Sequence, residues 1–399
     1  MSHCLYCNRE KDEIELSDEH VIPQAIGGAL QPTNPFKTRS VCRRCNNLCG
    51  LYVDTAFIKS WFTQASRAQD ALRYLNIEKS NVVPLTYMGE IEDFECDGKI
   101  CEFWLGPTGD SIFHFHQPYP EDPDLPIVAG VHPAQRLDRQ IEIDRGFAFL
   151  FVVASNPAWH PVIFNSFMEQ FKLSVLYLGN GPCPGGPFSE IPPELKDLRA
   201  GLNEAIQKNW LHVRMGITLS HETRFLAKLA LGIGHLLLAP EFSSSEDAKE
   251  LRSLMWAKTS DQREASKVRG AGFFNDKDTS IDQVISWERG HLIVLIPNGH
   301  GVALHARFYD RQAATIYIST QLSHWRERIP TDGIIFAIAP SLRKFVGPKS
   351  IPDFVAHRIG VAVDADLKAL EEEVDTRPNL PPTHLPQIAD GDCDSSDPK

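Results

Sequence analysis

The chain has 399 residues, of which 42% are hydrophobic and 23% are charged, as is usual for globular proteins. No uninterrupted apolar run reaches the roughly 18 residues of a membrane span, and the polar N-terminus is not typical of a signal peptide. The net charge of −12 argues against a uniformly basic nucleic-acid binder. Residues 361–399 hold much of this acidity, so a local phosphate-binding patch elsewhere is not excluded.

Cysteine is concentrated near the N-terminus, where five of the nine cysteines lie within the first 49 positions. The segments CLYC and CRRC form two CxxC pairs: Cys4 with Cys7 and Cys42 with Cys45. An odd total without a secretion signal is not typical of a disulfide framework. Four thiolates suit tetrahedral Zn²⁺ in a closed structural site. We therefore predict structural zinc and a reducing, cytoplasmic location, with unpaired, buried or redox cysteines as the alternative.

The segment LSDEHVIPQAIGG lies between these pairs and contains Glu19 and His20. A zinc ion on both pairs would bring these two residues near Asn46, which directly follows the second pair. A neutral histidine can accept a proton near neutral pH. Carboxylate and amide oxygens suit Mg²⁺ or Mn²⁺. The three side chains therefore suit hydrolysis of a phosphodiester, which needs a base and a divalent cation.

The ordered set CxxC … EHVIP … GG … CxxCN … G, at about residues 4–60, resembles the HNH endonuclease family of the ββα-metal type with zinc knuckles. The resemblance implies that His20 is the general base and that Glu19 binds the catalytic Mg²⁺ or Mn²⁺. It also implies that Asn46, or less favourably Asn47, completes the cation site. The four cysteines would be structural zinc ligands by the same resemblance.

Two positions depart from the family pattern. Glu19 stands where the family commonly has aspartate. Its side chain is longer but has the same carboxylate chemistry. The family often has an asparagine about six residues before the second CxxC, which holds the loop that orients the histidine. Phe36 occupies that position, and Asn34, two residues earlier, could serve if the loop is longer.

Each of these residues also has a structural interpretation. His20 could be a strand histidine with satisfied hydrogen bonds, Glu19 a surface carboxylate, and Asn46 a helix cap. Gly27 and Gly28 are predicted to serve a turn that requires positive φ.

A group of basic side chains lies beside the second cysteine pair and is predicted to contact DNA phosphates, with a solvated surface as the alternative. The group comprises Lys37, Arg39, Arg43 and Arg44.

Beyond residue 62, the pattern predicts a larger region of mixed strands and helices. His114 and His116 alternate on one predicted strand face and could bind a metal, but no carboxylate or cysteine adjoins them in sequence, which favours core residues. The segments SHETRFLAKLALGIGHLLL and SSSEDAKELRSLMWAK predict a buried helix and a serine-capped helix. Asn298-Gly299 between two strand-like runs predicts a hairpin.

Together these features predict an α+β protein with three parts. Residues 1–62 form an HNH-like ββα-metal nuclease module, residues 63–365 an α+β domain for target selection or regulation, and residues 366–399 an acidic, Pro-rich disordered tail. The predicted reaction is metal-dependent hydrolysis of DNA, with RNA as the alternative substrate and no membrane contact. The other hypotheses are a non-catalytic zinc-stabilised nucleic-acid-binding or interaction module, and a separate enzyme in the larger domain that the module targets.

Overall fold

The computed structural model describes residues 2–74, 83–92, 98–106, 109–116, 118, 148–153, 160–171, 177–180, 193–208, 211–214, 220–271, 285–309 and 312–376. The chain divides into two compact units. Unit 1 comprises Met1–Thr63, Asp124–Gly130 and Thr218–Arg377, and unit 2 comprises Gln64–Pro123, Val131–Ile217 and Pro378–Lys399. The predicted boundaries at residues 62 and 365 stay a prediction about independently folding domains.

The N-terminal part of unit 1 has the strand–strand–helix order expected for a ββα module. Two hairpins precede the helical part: β1 (Ser2–His3) with β2 (Glu10–Lys11), and β3 (Leu16–His20) with β4 (Lys37–Cys42). The helical part consists of α1 (Arg43–Cys49), a π-helical segment (Gly50–Asp54) and α2 (Thr55–Ile58). A β-bulge interrupts the β3–β4 ladder between Ser17 and Glu19, and such bulges re-aim side chains beside functional sites.

The two glycines after β3 serve different purposes. Gly27 ends the 3-10 helix Gln24–Ile26 with a φ of 90°, as the predicted turn requires. A Cβ on Gly28 would lie 1.7 Å from the carbonyl oxygen of Ile22. Gly28 is therefore required by the close approach of two backbone segments and not by its φ.

The C-terminal part of unit 1 contains a six-stranded antiparallel sheet in the order β11-β14-β13-β12-β15-β16. Its strands are β11 (Gly270–Ala271), β12 (His291–Asn298), β13 (Gly301–Phe308), β14 (Gln312–Ser319), β15 (Ile334–Ala339) and β16 (Lys344–Ser350). β12 pairs with β13 up to Asn298 and Gly301, which confirms the predicted hairpin.

This part of unit 1 also contains helices, most of which pack with that sheet. They are α6 (Ser220–Leu237), α7 (Glu246–Met255), α8 (Ser260–Glu264), α9 (Leu322–Trp325), α10 (Ile351–Arg358) and α11 (Ala365–Asp375). α6 is buried over most of its length, and the side chain of Ser245 caps α7 by accepting a hydrogen bond from Ala248 N. Both features were predicted from the sequence.

One hydrophobic core joins the N-terminal segment to the C-terminal part of unit 1. The rings of Phe57 and Phe225 stack with centroids 3.8 Å apart, and the Phe36 ring meets that of Phe336 edge to face at 5.1 Å. The predicted module is thus built into unit 1 and shares its core.

Unit 2 contains a second six-stranded sheet in the order β10-β5-β6-β7-β8-β9, antiparallel except for the β8–β9 pair. Its strands are β5 (Thr86–Ile91), β6 (Ile100–Leu105), β7 (Ser111–His116), β8 (Ala148–Val153), β9 (Tyr177–Asn180) and β10 (Val213–Arg214). Its helices are α4 (His160–Phe171) and α5 (Pro193–Gln207), while α3 (Trp61–Tyr74) begins in unit 1 and continues into unit 2.

The predicted fold class, α+β with a small N-terminal cysteine-containing part, is confirmed. The predicted disordered tail began at residue 366, but Asp364 caps a helix over Ala365–Asp375 whose apolar side is buried, because this segment has apolar residues at helical spacing. The rest of the tail, residues 377–399, lies outside the described residues. Among the described helices, none has the length and apolarity needed to cross a bilayer.

Candidate active site and zinc cluster

The four predicted zinc ligands converge. The sulfur atoms of Cys4, Cys7, Cys42 and Cys45 all lie within 4.8 Å of one another. Zinc–sulfur bonds of about 2.3 Å would place tetrahedral ligands roughly 3.8 Å apart, so the donor set and spacing fit Zn²⁺. A hydrogen bond from Cys45 lowers the pKa of Cys4 to about 4, so one thiolate is already favoured. The same bond raises the pKa of Cys45.

The first cysteine pair is held by α7. Arg252 Nε donates to the carbonyl oxygen of Leu5 at 2.7 Å, and Trp256 Nε1 donates to that of Tyr6 at 3.1 Å. Leu5 N in turn donates to Ser40 O on β4 at 2.7 Å. The knuckle is therefore fixed on one side by α7 and on the other by the strand that leads to the second pair.

His20 is partly buried at the end of β3, and its hydrogen-bonding contacts involve the ring nitrogen Nδ1. Nδ1 lies 3.0 Å from the carbonyl oxygen of Gly28. Because a carbonyl oxygen can only accept, Nδ1 donates this bond, and in the neutral ring the lone pair is then on Nε2. This tautomer is the one that a general base would need.

Asn34 fixes the loop around His20. Its Oδ1 accepts from Phe36 N at 2.9 Å, and its Nδ2 donates to the carbonyl oxygen of Gly28 at 2.7 Å. The same Nδ2 lies 3.2 Å from His20 Nδ1. The bond to Phe36 sets the orientation of the amide. The structure thus places Asn34 beside His20, and its role as the middle asparagine of the family pattern stays a prediction.

Glu19 points into the interior and is only 3% exposed. Its Oε1 accepts from Tyr6 Oη at 2.8 Å and lies 2.9 Å from Lys228 Nζ. Glu19 is thus a buried carboxylate with a strong cationic partner, and the surface-carboxylate alternative is wrong for this residue.

Lys228, on α6, is fully buried and contacts two backbone carbonyl groups and two carboxylates. Its Nζ donates to the backbone oxygens of His20 and Val21 at 3.1 and 3.0 Å and contacts Asp54 at 3.2 Å. Burial alone would lower the pKa of Lys228, but attraction to the nearby carboxylates of Asp54 and Glu19 outweighs that effect. The pKa of Lys228 is therefore raised overall. The ammonium is therefore charged and joins β3 to the π-helical segment.

Asp54 completes this buried group of charges. Burial raises the pKa of Asp54 to about 6, against the opposing effect of Lys228. Near pH 7.5 the Asp54 carboxylate is therefore ionised beside the Lys228 ammonium.

Asn46 connects α1 to β3. Its Nδ2 donates to Ser17 Oγ at 3.1 Å and to Asp18 O at 2.8 Å. The amide oxygen Oδ1 of Asn46 is not used by these two bonds. The N-cap of α1 is Cys42 and not Asn46.

The donor set fits the predicted catalytic cation. Both contacts of Glu19 end on Oε1 and both contacts of Asn46 use Nδ2, so one oxygen of each could hold Mg²⁺ or Mn²⁺. Within the described part of the chain, no hydrogen bond joins the side chains of Glu19, His20 and Asn46 directly. Their catalytic roles stay predictions.

The predicted phosphate-binding residues fall into two groups. Lys37 and Arg39 are exposed on β4, and Lys37 is the cross-strand partner of His20 and forms an ion pair with Asp18 at 2.7 Å. Arg43 and Arg44 are exposed on α1 and line a cavity of about 760 Å³ beside the zinc cluster.

Residues 4–62 match the family model described as HNH endonuclease. The predicted resemblance is thereby confirmed for this stretch, which we call the HNH segment. The match is to a nuclease family and covers the N-terminal segment alone. Comparison of the chain with curated proteins and with solved structures gave no match.

Sequence reasoning missed three residues that surround the HNH motif: Tyr6, Asp54 and Lys228. Lys228 had a detectable signal, because it is the one cation within the apolar run FLAKLALGIG, and lysine is almost never fully buried without a partner. Nothing in the sequence indicated that its partner was Glu19, 209 positions earlier.

Proposed function

We propose that the HNH segment hydrolyses phosphodiester bonds in DNA with a bound Mg²⁺ or Mn²⁺. The observation that carries this proposal is the state of His20. Its Nδ1 is committed to Gly28 O, and Asn34 anchors the same oxygen. In its neutral form, a histidine held in this way within an HNH sequence pattern would present Nε2 as the proton acceptor.

The proposed reaction begins when His20 Nε2 takes a proton from the attacking water. The hydroxide then displaces the 3′ oxygen from phosphorus, and the backbone bond breaks. A cation held by Glu19 and Asn46 would offset the negative charge on the phosphate and the leaving oxygen. Tyr6 and Lys228 contact Oε1 of Glu19 and would orient its carboxylate, as supporting residues orient a metal ligand.

The basic side chains of the HNH segment would bind the DNA backbone. Lys37 lies across the ladder from His20, so a phosphate beside the base would lie within its reach. Phosphate contacts of this kind position a duplex without reading its sequence. Target selection would then belong to other parts of the chain.

A second candidate is a zinc-stabilised DNA-binding module that does not cut. The observation in its favour is the Lys228 ammonium, 2.9 Å from the carboxylate that should bind the cation. If Lys228 fully neutralises Glu19, the cation is not recruited. Under this hypothesis the basic side chains bind DNA and His20 has no chemical role.

Plasmid nicking with Mg²⁺ or Mn²⁺ distinguishes the two candidates. We expect wild type to nick supercoiled DNA and His20→Ala to lose about 10²-fold or more of that rate, the usual contribution of a general base. His300→Ala is the matched control, because His300 is exposed in the β12–β13 turn. Equal rates in wild type and His20→Ala would refute the proposed mechanism.

DNA binding and zinc content are measured on the same samples. Loss of nicking by His20→Ala with unchanged binding and zinc supports the nuclease. If wild type binds DNA but never nicks it with either cation, the binding module is the correct function.

A further inference from the structure

Unit 2 contains a buried cluster of metal-ligating side chains that the HNH segment does not involve. Glu102, His114 and His116 are each 1% exposed or less. Each contributes one ligand atom, and the three atoms lie within 4.8 Å of one another. The cluster lies wholly inside unit 2, so it is independent of the proposed nuclease.

The sheet brings the three residues together by register. His114 and His116 are two positions apart on β7 and therefore share a face. Glu102, on the neighbouring strand β6, is the direct cross-strand partner of His114. The carboxylate that the sequence did not show beside the histidines is thus supplied by the adjacent strand.

The distances within the cluster suit a metal ion. Glu102 Oε2 lies 3.1 Å from His114 Nδ1, and Glu102 Oε1 lies 3.2 Å from His116 Nε2. Ligands at about 2.0–2.1 Å from a tetrahedral ion stand roughly 3.3 Å apart, so these spacings are close to those of a formed site. The imidazole rings are also nearly parallel, at 28° with centroids 4.6 Å apart.

The surroundings of the cluster resemble those of a metal site. Trp104 Nε1 donates to Glu102 Oε2 at 3.1 Å, the kind of bond that orients a metal-binding carboxylate. Phe167 on α4 meets the His114 ring at 4.7 Å and the Trp104 ring at 5.7 Å. These aromatic rings pack against the buried cluster.

We propose that Glu102, His114 and His116 bind a structural divalent transition-metal ion, for which Zn²⁺ is the best fit. Two imidazoles favour zinc over Mg²⁺ or Ca²⁺, which prefer oxygen ligands. The burial of all three ligands favours a structural ion over a catalytic one. The ion would cross-link β6 and β7 beneath α4 and stabilise unit 2.

The competing explanation is a metal-free ion pair between Glu102 and a protonated histidine. The two explanations differ in metal content, because the ion pair needs none. The Cys4/Cys7/Cys42/Cys45 cluster provides an internal reference, since its ligands are all sulfur.

The test is zinc content per full-length chain after purification with zinc and removal of loose metal. We expect about two zinc ions in wild type and about one in Glu102→Gln, which keeps the side-chain shape but removes the charge. Cys42→Ser should lose the other ion and keep this one. Wild type with a single zinc that only Cys42→Ser removes would overturn the proposal, as would two ions retained in folded Glu102→Gln.

X-ray absorption at the zinc edge of wild type gives the same answer without any variant, so a misfolded variant would not prevent the test. We expect a mixed first shell of sulfur and nitrogen or oxygen. A shell of four sulfurs alone would overturn the assignment. Thermal unfolding of Cys42→Ser with and without chelator adds a second readout, in which a lower melting temperature after chelation is expected and an unchanged one counts against the site.

Discussion

At the scale of single residues, His20 uses its two ring nitrogens for different purposes. Nδ1 is tied to the Gly28 carbonyl, which Asn34 also binds, and Nε2 keeps the lone pair. A partner on one nitrogen fixes both the tautomer and the ring orientation. The geometry of the base therefore depends on a residue that would not itself touch the substrate.

Replacing Asn34 tests this dependence. We expect Asn34→Ala to lower kcat for nicking by about 10–100-fold, as is usual when a supporting partner is lost, with little change in KM. His300→Ala is again the control, because His300 is exposed in the β12–β13 turn. Steady-state kinetics on a labelled duplex gives both constants. If Asn34→Ala and His300→Ala have equal kcat, Asn34 has no part in positioning His20.

At the scale of elements, the turn after β3 is shaped by close backbone contacts. The 3-10 helix Gln24–Ile26 turns the chain back so that Gly28 passes over Ile22, and Gly27 passes over Pro340 at the end of β15. Any side chain at Gly28 must push these backbones apart. The carbonyl that accepts from His20 would then move.

We predict that Gly28→Ala destabilises the protein and slows nicking together. Its Cβ would lie 1.7 Å from Ile22 O, and forced overpacking of this kind costs about 1–3 kcal/mol. In Gly299→Ala the new Cβ meets nothing within 4 Å, so its unfolding free energy should change little. Urea denaturation and nicking of the two variants provide the comparison. A Gly28→Ala protein as stable and active as Gly299→Ala would contradict the prediction.

Elements with strong local signals were predictable from the sequence. The Asn298-Gly299 hairpin, the Ser245 cap and the buried helix α6 follow from turn chemistry, capping and apolar periodicity. Residues 366–375 were predicted to be disordered but form a helix, because acidic composition outweighed the helical spacing of Leu367, Leu370 and Val374. Local sequence patterns thus predicted the helices and the hairpin, while composition was a weaker guide to where ordered elements end.

At the scale of the whole molecule, the HNH segment depends on distant parts of unit 1 for its packing and its charges. Lys228 balances Glu19, Arg252 holds the first cysteine pair, and His291 Nε2 donates to Ile26 O at 2.8 Å. None of these partners is within 150 positions of the segment. Their identity could not be predicted, because pairings between distant buried residues leave no local pattern in one sequence.

The hydrogen bond between His291 and Ile26 of the HNH segment is sensitive to pH. Burial lowers the pKa of His291 to about 4, and its Nδ1 accepts from Tyr309 N at 3.1 Å, so the fold requires the neutral ring. The unfolded chain takes up a proton below about pH 6.5. The stabilising contribution is therefore complete above pH 6.5 and is lost as the pH falls towards 4.

We predict that His291 lowers the unfolding free energy of wild type by about 2 kcal/mol when the pH falls from 7 to 5. His291→Gln should show a smaller loss over the same interval, even if it is less stable at pH 7. His221, whose pKa is also lowered to about 4, remains in both proteins and cancels in the comparison. Urea denaturation at both pH values measures the difference, and equal losses would mean that His291 does not titrate as stated.

The contact between Lys228 and the HNH segment also has a consequence for synthesis. The segment leaves the ribosome first, but the cation that balances its buried carboxylates is added 165 positions after Thr63. At 5–20 residues per second, this interval lasts roughly 10–30 s. During that time the strand bearing His20 lacks its buried partner, so the nascent chain cannot have the complete site. Formation of the site is thereby delayed until Lys228 has been added.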